Sequence, residues 1–279
     1  MKRFLLISIA FLVYIPGWLY SQDTTVAGIN RNLVLQTAYD YAEGFYSGDA
    51  ARMESAISQD ICKVYPMIYP GTGKTVLIFS TYSGLIELTR SKIGIRPDSA
   101  RRLSVKVLAI KDDIACVKVL SSGFNDYLNI ANINGRWKIV NVLWTTPDAQ
   151  PGDESKELLI QEKEKITDAI RDYIEGVYTG DLERINRTLN PECRRATIVV
   201  LPQTGRKFID RDGFTGFMQT VSNMKGIPDK NKQDISIEIL DSMNGLCFAV
   251  LSTAQSVNYI QLAQINSRWQ MINILRKRK

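Results

Sequence analysis

Residues 127–143, YLNIANINGRWKIVNVL, constrain this chain more than any other stretch, because residues 259–275, YIQLAQINSRWQMINIL, nearly repeat them. Trp137 and Trp269 stand 132 residues apart, as do Asn141 and Asn273. Each segment reads as two strands rich in aromatic and β-branched residues, joined in the first copy by a tight turn at Asn134-Gly135. A chain that ends each half with the same hairpin is a duplication, so every element assigned to one half must have a counterpart in the other.

The first 21 residues stand apart. Lys2 and Arg3 precede an apolar run from Phe4 to Ile15, which is too short for the ~20 residues of a membrane helix and of the length of a signal peptide. Pro16-Gly17 break the run, and cleavage is expected between Ser21 and Gln22, giving an exported protein, periplasmic or secreted; the rival reading is an uncleaved N-terminal anchor. No cysteine follows the run to carry a lipid, and no later segment is apolar enough to span a bilayer. The rest divides into repeat 1 at residues 22–147, a polar linker at 148–156 and repeat 2 at 157–279, each repeat large enough for its own core.

Each repeat opens with an amphipathic helix. Ala38, Tyr41, Ala42 and Phe45 share a stripe near residues 32–47, and Ile170, Tyr173, Ile174 and Val177 form its counterpart. Both helices close on one phrase, YAEGFYSGD and YIEGVYTGD, where Gly48 and Gly180 suit a left-handed stop and Asp49 and Asp181 an N-cap. Asp40, Glu43, Asp172 and Glu175 fall off the apolar stripe and read as a solvated face. Two short strands, a third helix and four consecutive strands come next, so helices segregate from a run of hairpin-linked strands and the fold class is α+β. Aligning CKVYPMIY at 62–69 with CRRATIVVL at 193–201 shortens the repeat offset to 131 over the middle of the chain. On that alignment Cys62 and Cys116 match Cys193 and Cys247, either as two disulfides or as four buried thiols. It also sets Tyr65, Met67 and Tyr69 against the smaller Ala196, Ile198 and Val200, which predicts the larger hollow in repeat 2.

Composition closes off several chemistries. The chain has no histidine, so Ser-His-Asp and Cys-His catalysis within the chain and His-based zinc sites are excluded. YPGTGKT at 69–75 has Ile68 where a phosphate-binding loop needs its first glycine, and its duplicate reads LPQTGRK, so the segment is a hairpin turn. The net charge of +6 is diffuse apart from the terminal Arg276-Lys277-Arg278-Lys279, and nothing forms the basic, aromatic-interleaved stripe of a nucleic-acid binder. By strand alternation Trp137, Ile139, Asn141 and Leu143 share one face, as do Trp269, Met271, Asn273 and Leu275, which puts an asparagine on each apolar face.

WKIVN after a glycine turn, FNDYLNI before it and YxEGxYxGD at the front resemble the nuclear transport factor 2-like superfamily, nearest its "putative lumazine-binding" and SnoaL-like branches. The resemblance covers nearly all of residues 22–279, twice. It implies two cystatin-like cones, each a strongly curved, mostly antiparallel sheet wrapped round helices. Enzymes of this superfamily use Asp, Tyr or His inside the cone, whereas this chain lacks His and shows no inward Asp common to both repeats. The resulting expectation is an exported, non-catalytic module with no cofactor or metal, binding a small apolar or aromatic ligand or a partner protein, with the repeats paired inside one chain. The ligand-lining candidates are Tyr41, Phe45, Tyr65, Trp137 and Asn141 in repeat 1 and Tyr173, Trp269 and Asn273 in repeat 2. The alternative is a cone-fold isomerase or dehydratase in which Tyr41 or Tyr173 acts as acid and Asn141 or Asn273 orients the substrate.

Overall fold

The computed structural model describes residues 26–147, 160–224 and 234–279. The signal peptide expected at 1–21 and the linker expected at 148–156 lie outside the described residues. Repeat 1 runs α1 (Val26–Ser47), α2 (Ala50–Ala56), β1 (Ile57–Ile68), β2 (Thr75–Ser80), α3 (Tyr82–Arg90), a 3-10 turn at Asp98–Ala100, then β3 (Leu103–Lys111), β4 (Ile114–Ser121), β5 (Asn125–Ile133) and β6 (Arg136–Thr145). Repeat 2 runs α4 (Ile160–Thr179), α5 (Leu182–Thr188), β7 (Leu189–Val200), β8 (Lys207–Asp212), α6 (Phe214–Asn223), β9 (Ser236–Met243), β10 (Leu246–Ser252), β11 (Ser256–Ile265) and β12 (Arg268–Arg278). Each repeat builds a six-stranded sheet, ordered β2-β1-β6-β5-β4-β3 and β8-β7-β12-β11-β10-β9. All neighbours are antiparallel except β1 with β6 and β7 with β12, so the fold is α+β with two mixed sheets. No helix among the described residues is long and apolar enough to cross a membrane.

The repeated phrase at the end of the first helix has a steric cause. Gly48 and Gly180 sit at φ +71° and +76°, where an L side chain is strained, and release the chain from the helix. Four residues earlier a Cβ on Gly44 would stand 3.0 Å from the Met53 nitrogen, and one on Gly176 would stand 2.9 Å from the Asp181 oxygen, so α2 and α5 fold back against bare backbone. Asp49 and Asp181 then accept the Arg52 and Arg184 amides, each at 3.0 Å. The repeated carboxylates of the outer helix face are held by these same arginines: Arg52 bonds Asp40 and Glu43, and Arg184 bonds Asp172 and Glu175. The YPGTGKT segment is the β1–β2 hairpin turn, with Tyr69 N–H donating to the Lys74 carbonyl at 2.8 Å, and Leu201 does the same with Arg206 in repeat 2.

Two readings of register change. The offset between repeats is 132 throughout: Ile57 pairs with Ile139 as Leu189 pairs with Met271, Cys62 with Asn141 as Arg194 with Asn273, and Val119 with Asp126 as Leu251 with Asn258. The shorter offset came from aligning the cysteines on each other. Cys62 corresponds to Arg194 and Cys116 to Phe248, so the cysteine pairs are not equivalent. All four thiols are free: Cys62 and Cys116 lie in or against the core between the sheets, Cys193 and Cys247 in the helix-packed core of repeat 2. The corrected register also moves Ala196 and Ile198 to the core between the sheets. The counterparts of Tyr65, Met67 and Tyr69 become Thr197, Val199 and Leu201, which are again smaller than the residues of repeat 1.

The second change is a bulge. In β6 the ladder slips between Ile139 and Asn141, and in β12 between Met271 and Asn273, which leaves Val140 and Ile272 as extra residues. Trp137 and Ile139 face the helices, but past the bulge Asn141 and Leu143 face the opposite way. Simple alternation therefore fails in the terminal strands of both repeats.

The faces turned away from the helices pack on each other. Val64, Tyr127, Val140 and Leu143 share a buried cluster with Ala196, Phe248, Tyr259 and Leu275. Hydrogen bonds across it are reciprocal, as a two-fold requires. Asn129 donates to the Tyr259 carbonyl at 3.4 Å and Gln261 to the Tyr127 carbonyl at 2.8 Å; Asn134 pairs with the Lys207 backbone, and Asn266 with Thr75. Asp113 accepts from Lys207 at 2.6 Å and Lys277 at 2.9 Å.

Candidate functional site

The helix-facing side of repeat 1 contains three polar groups from three elements. Tyr41 belongs to the apolar stripe of α1, with Val34, Ala38 and Ala42. Lys63 is on β1, two residues from Ile61 and Tyr65. Asp126 is on β5, in phase with Leu128 and Ile130 of the same core. Their exposures are 2%, 7% and 0%. The Tyr41 hydroxyl donates to Asp126 Oδ2 at 2.7 Å, while Lys63 Nζ reaches the Tyr41 oxygen at 2.5 Å and both Asp126 oxygens at 3.3 Å.

Aromatic rings close round the ammonium. Lys63 Nζ is 4.7 Å from the ring centre of Trp144, 5.2 Å from Phe124 and 5.3 Å from Tyr41. Tyr65 stacks on Trp144 with centroids 4.6 Å apart, and both rings are half-exposed. Phe45 meets Phe124 edge-on at 6.0 Å. Burial pushes the Asp126 carboxyl up, against the pull of Lys63 and Tyr41. Burial draws the Lys63 ammonium down, against Asp126. Burial raises Tyr41, and Asp126 adds to that rise, so its phenol stays protonated and acts as donor.

The sequence-chosen residues divide by location. Tyr41, Phe45 and Tyr65 surround this cluster. Trp137 packs in the same core, 5% exposed, with its indole N–H buried and unpartnered. Its counterpart Trp269 donates to Glu162 of α4 at 2.8 Å. Tyr173 packs on Phe217 in repeat 2, centroids 5.9 Å apart. Asn141 and Asn273, turned by the bulges, lie away from both helix-facing interiors. Asn141 accepts from Arg211 at 3.1 Å and Asn273 donates to Gln261 at 2.8 Å.

Sequence reasoning passed over Asp126 and Lys63. The signal for Asp126 was its strand phase with Leu128 and Ile130, but a search for carboxylates common to both repeats discards it, because repeat 2 carries Asn258 there. Lys63 had no signal: a lysine on a strand reads as solvent-facing until its partners are known.

Residues 30–145 match a family model described as "Putative lumazine-binding". No curated protein matches the chain. Among solved structures it is similar to a protein of unknown function from Silicibacter pomeroyi DSS-3, at 17% identity over 43% of this chain and 98% of that one, with a TM-score of 0.37. A Shewanella baltica OS155 protein shares 12% identity over 44% and 98%, TM-score 0.37. A cystatin-like protein from Nostoc punctiforme PCC 73102 shares 14% over 44% and 95%, TM-score 0.32. The chain therefore consists of two α+β units of the same strand order, of which the first, over residues 30–145, matches the family described as "Putative lumazine-binding".

Proposed function

We propose that this protein is an exported, non-catalytic binding module whose first cone takes a small, flat, apolar or aromatic ligand, with both cones of one chain forming the working unit. The observation that carries the reading is the closed polar cluster beneath a partly open aromatic wall. Tyr41, Lys63 and Asp126 spend their hydrogen bonds on one another, and no side-chain nitrogen or oxygen of the three is left buried without a partner. The half-exposed surface beside them is the Tyr65–Trp144 stack, which offers ring faces and few polar groups. Export rests on the charged start and short apolar run of residues 1–21.

The matching family's description names lumazine, so lumazine is the first probe. Titration into the full chain, followed by tryptophan fluorescence and calorimetry, should give saturable binding that Trp144→Ala weakens about tenfold or more. A panel of flat heterocycles that leaves the fluorescence unchanged, or binds Trp144→Ala equally well, defeats the reading. A second reading, a cone-fold isomerase or dehydratase, is favoured by the Asp126 carboxylate lying 2.7 Å from the Tyr41 hydroxyl, an acid–base pair already in contact. Turnover of a bound compound that Tyr41→Phe abolishes while leaving its binding intact would select that second reading.

A further inference from the structure

The constant offset of 132 allows the interiors of the two cones to be compared residue by residue. Tyr41 has Tyr173 as its counterpart, but Lys63 becomes Arg195, Asp126 becomes Asn258, Phe124 becomes Ser256 and Trp144 becomes Arg276. Repeat 2 has thus lost the buried carboxylate that neutralises the cation in repeat 1, and has gained a second guanidinium where the stacked tryptophan stood.

Neither arginine is fully satisfied. Arg195 is 6% exposed and lies 3.5 Å over the ring centre of Phe217. Its Nη1 meets Asp212 at 2.8 Å, while its Nε–H is buried with no partner. Arg276 is a diagonal neighbour on the adjoining strand, since Ile274 pairs with Arg195 and Arg276 with Thr197. Its Nε–H is also buried and unpartnered, and among the described residues its side chain makes no hydrogen bond or ion pair. Burial draws its guanidinium down and Arg195 and Arg278 add to that effect, against the opposing pull of Tyr173 and Asp212. Asn258 offers no relief, because its amide is spent on the Leu251 carbonyl and Ser256 Oγ. The Tyr173 hydroxyl makes no hydrogen bond among the described residues, and the ring is 5% exposed.

Half-burying a guanidinium without an anion costs free energy that something must offset. The charged groups here are Arg195, Arg276 and the exposed Arg278 against Asp210 and Asp212, both exposed on β8, which leaves one positive charge over. The surrounding core is apolar, with Ile174, Val177, Phe217 and Ile274 among its members. We propose that the second cone binds a small organic acid, its carboxylate set between Arg195 and Arg276 beside the Tyr173 hydroxyl and its apolar body against Phe217. Arginine suits this use because its planar fork can bond a carboxylate through two parallel N–H groups. The site is separate from the aromatic wall of the first cone, and either can fail without the other.

The test uses the full chain, with benzoate as probe and benzamide as its uncharged match in shape. Calorimetry should show benzoate binding in the millimolar range or tighter, benzamide at least about tenfold weaker, and Arg276→Gln weakening benzoate by about tenfold. Because the first cone can also take a flat aromatic, the same comparisons are repeated in a Trp144→Ala background, where the preference for benzoate over benzamide and its loss in Arg276→Gln should persist. Arg276→Met supplies a readout that does not depend on the choice of acid: without a carboxylate to hold, it should raise the melting temperature in buffer free of organic acids. Equal binding of benzoate and benzamide, no binding of benzoate, an unchanged affinity in Arg276→Gln, or a lowered melting temperature in Arg276→Met would each overturn the proposal.

Discussion

Asp126→Asn converts the interior of the first cone to the residue that the second already carries at Asn258, and its cost can be worked from the geometry. Lys63 Nζ lies 3.3 Å from both Asp126 oxygens, with side-chain exposures of 9% and 0%. Removing one partner of a buried pair costs about 3–5 kcal/mol because the other charge is left uncompensated. The asparagine keeps an oxygen for Tyr41, and three aromatic rings still face the ammonium, so the low end, about 3 kcal/mol, is expected. For the two repeats unfolding together, a unit of about 250 residues, that corresponds to a fall in melting temperature of roughly 6–12 °C. Removing both charges in Lys63→Met with Asp126→Leu should return most of the loss, leaving the double variant within about 1.5 kcal/mol of the parent. Urea unfolding followed by tryptophan fluorescence measures Asp126→Asn and the four corners of the cycle, namely the parent, Lys63→Met, Asp126→Leu and the double variant, with Trp144 reporting from beside Lys63. An Asp126→Asn variant within about 0.5 kcal/mol of the parent, or single losses that simply add in the double variant, would refute the claim that these charges neutralise each other.

Burial disfavours the charged form of Asp113, but hydrogen bonds from Lys207 and Lys277 outweigh it and hold the carboxyl below its usual range. The folded form therefore carries stability that is present above the unfolded value of about 3.9 and is lost as pH falls through the lower folded value. Acid titration of Asp113→Asn should lack that limb, and an unchanged acid profile would count against it. Burial pushes the Cys116, Cys193 and Cys247 thiols up, so a disulfide reagent should react slowly with them in the native chain and find four thiols after denaturation. Fewer than four would restore a disulfide. Either repeat expressed alone bares the face carrying Val64, Tyr127 and Leu143 or Phe248, Tyr259 and Leu275, and light scattering should find dimers or larger species. A stable monomer of either half would break that expectation.

How far the sequence could be read depended on whether a feature was local. The duplicated hairpin, the helix stop at Gly48 and Gly180, and the caps at Asp49 and Asp181 depend on neighbours within a few residues and were legible. The faces of the terminal strands were not, because alternation assumes an unbroken ladder, and one extra residue at Val140 and Ile272 inverts the remainder of each strand. Register between the repeats was misread at the cysteines, since two identical residues one position apart outweigh a diffuse apolar pattern in an alignment by eye. Comparison of the repeats also worked against the site itself: it highlights the residues both copies keep, and Asp126, Lys63, Arg195 and Arg276 are where they differ.

Those differences are possible because the repeats are joined in one chain. In a dimer of identical chains a substitution appears on both sides of the two-fold, so an unpaired arginine in one cone is an unpaired arginine in both. Here the reciprocal bonds of Asn129 and Gln261, and of Asn134 and Asn266, keep the two-fold between the sheets. Asp241, in contrast, takes hydrogen bonds from Lys118 at 2.9 Å and Tyr127 at 2.7 Å, and the counterparts of Asp241 and Lys118 are the apolar Ala109 and Val250. The backbone symmetry therefore survives while the side chains have become specific to one side. With the packing between the sheets held by side-chain-to-backbone hydrogen bonds and a shared apolar cluster, each interior was free to change its charge. One cone neutralises its cation with its own Asp126; the other leaves Arg276 without an acid of its own.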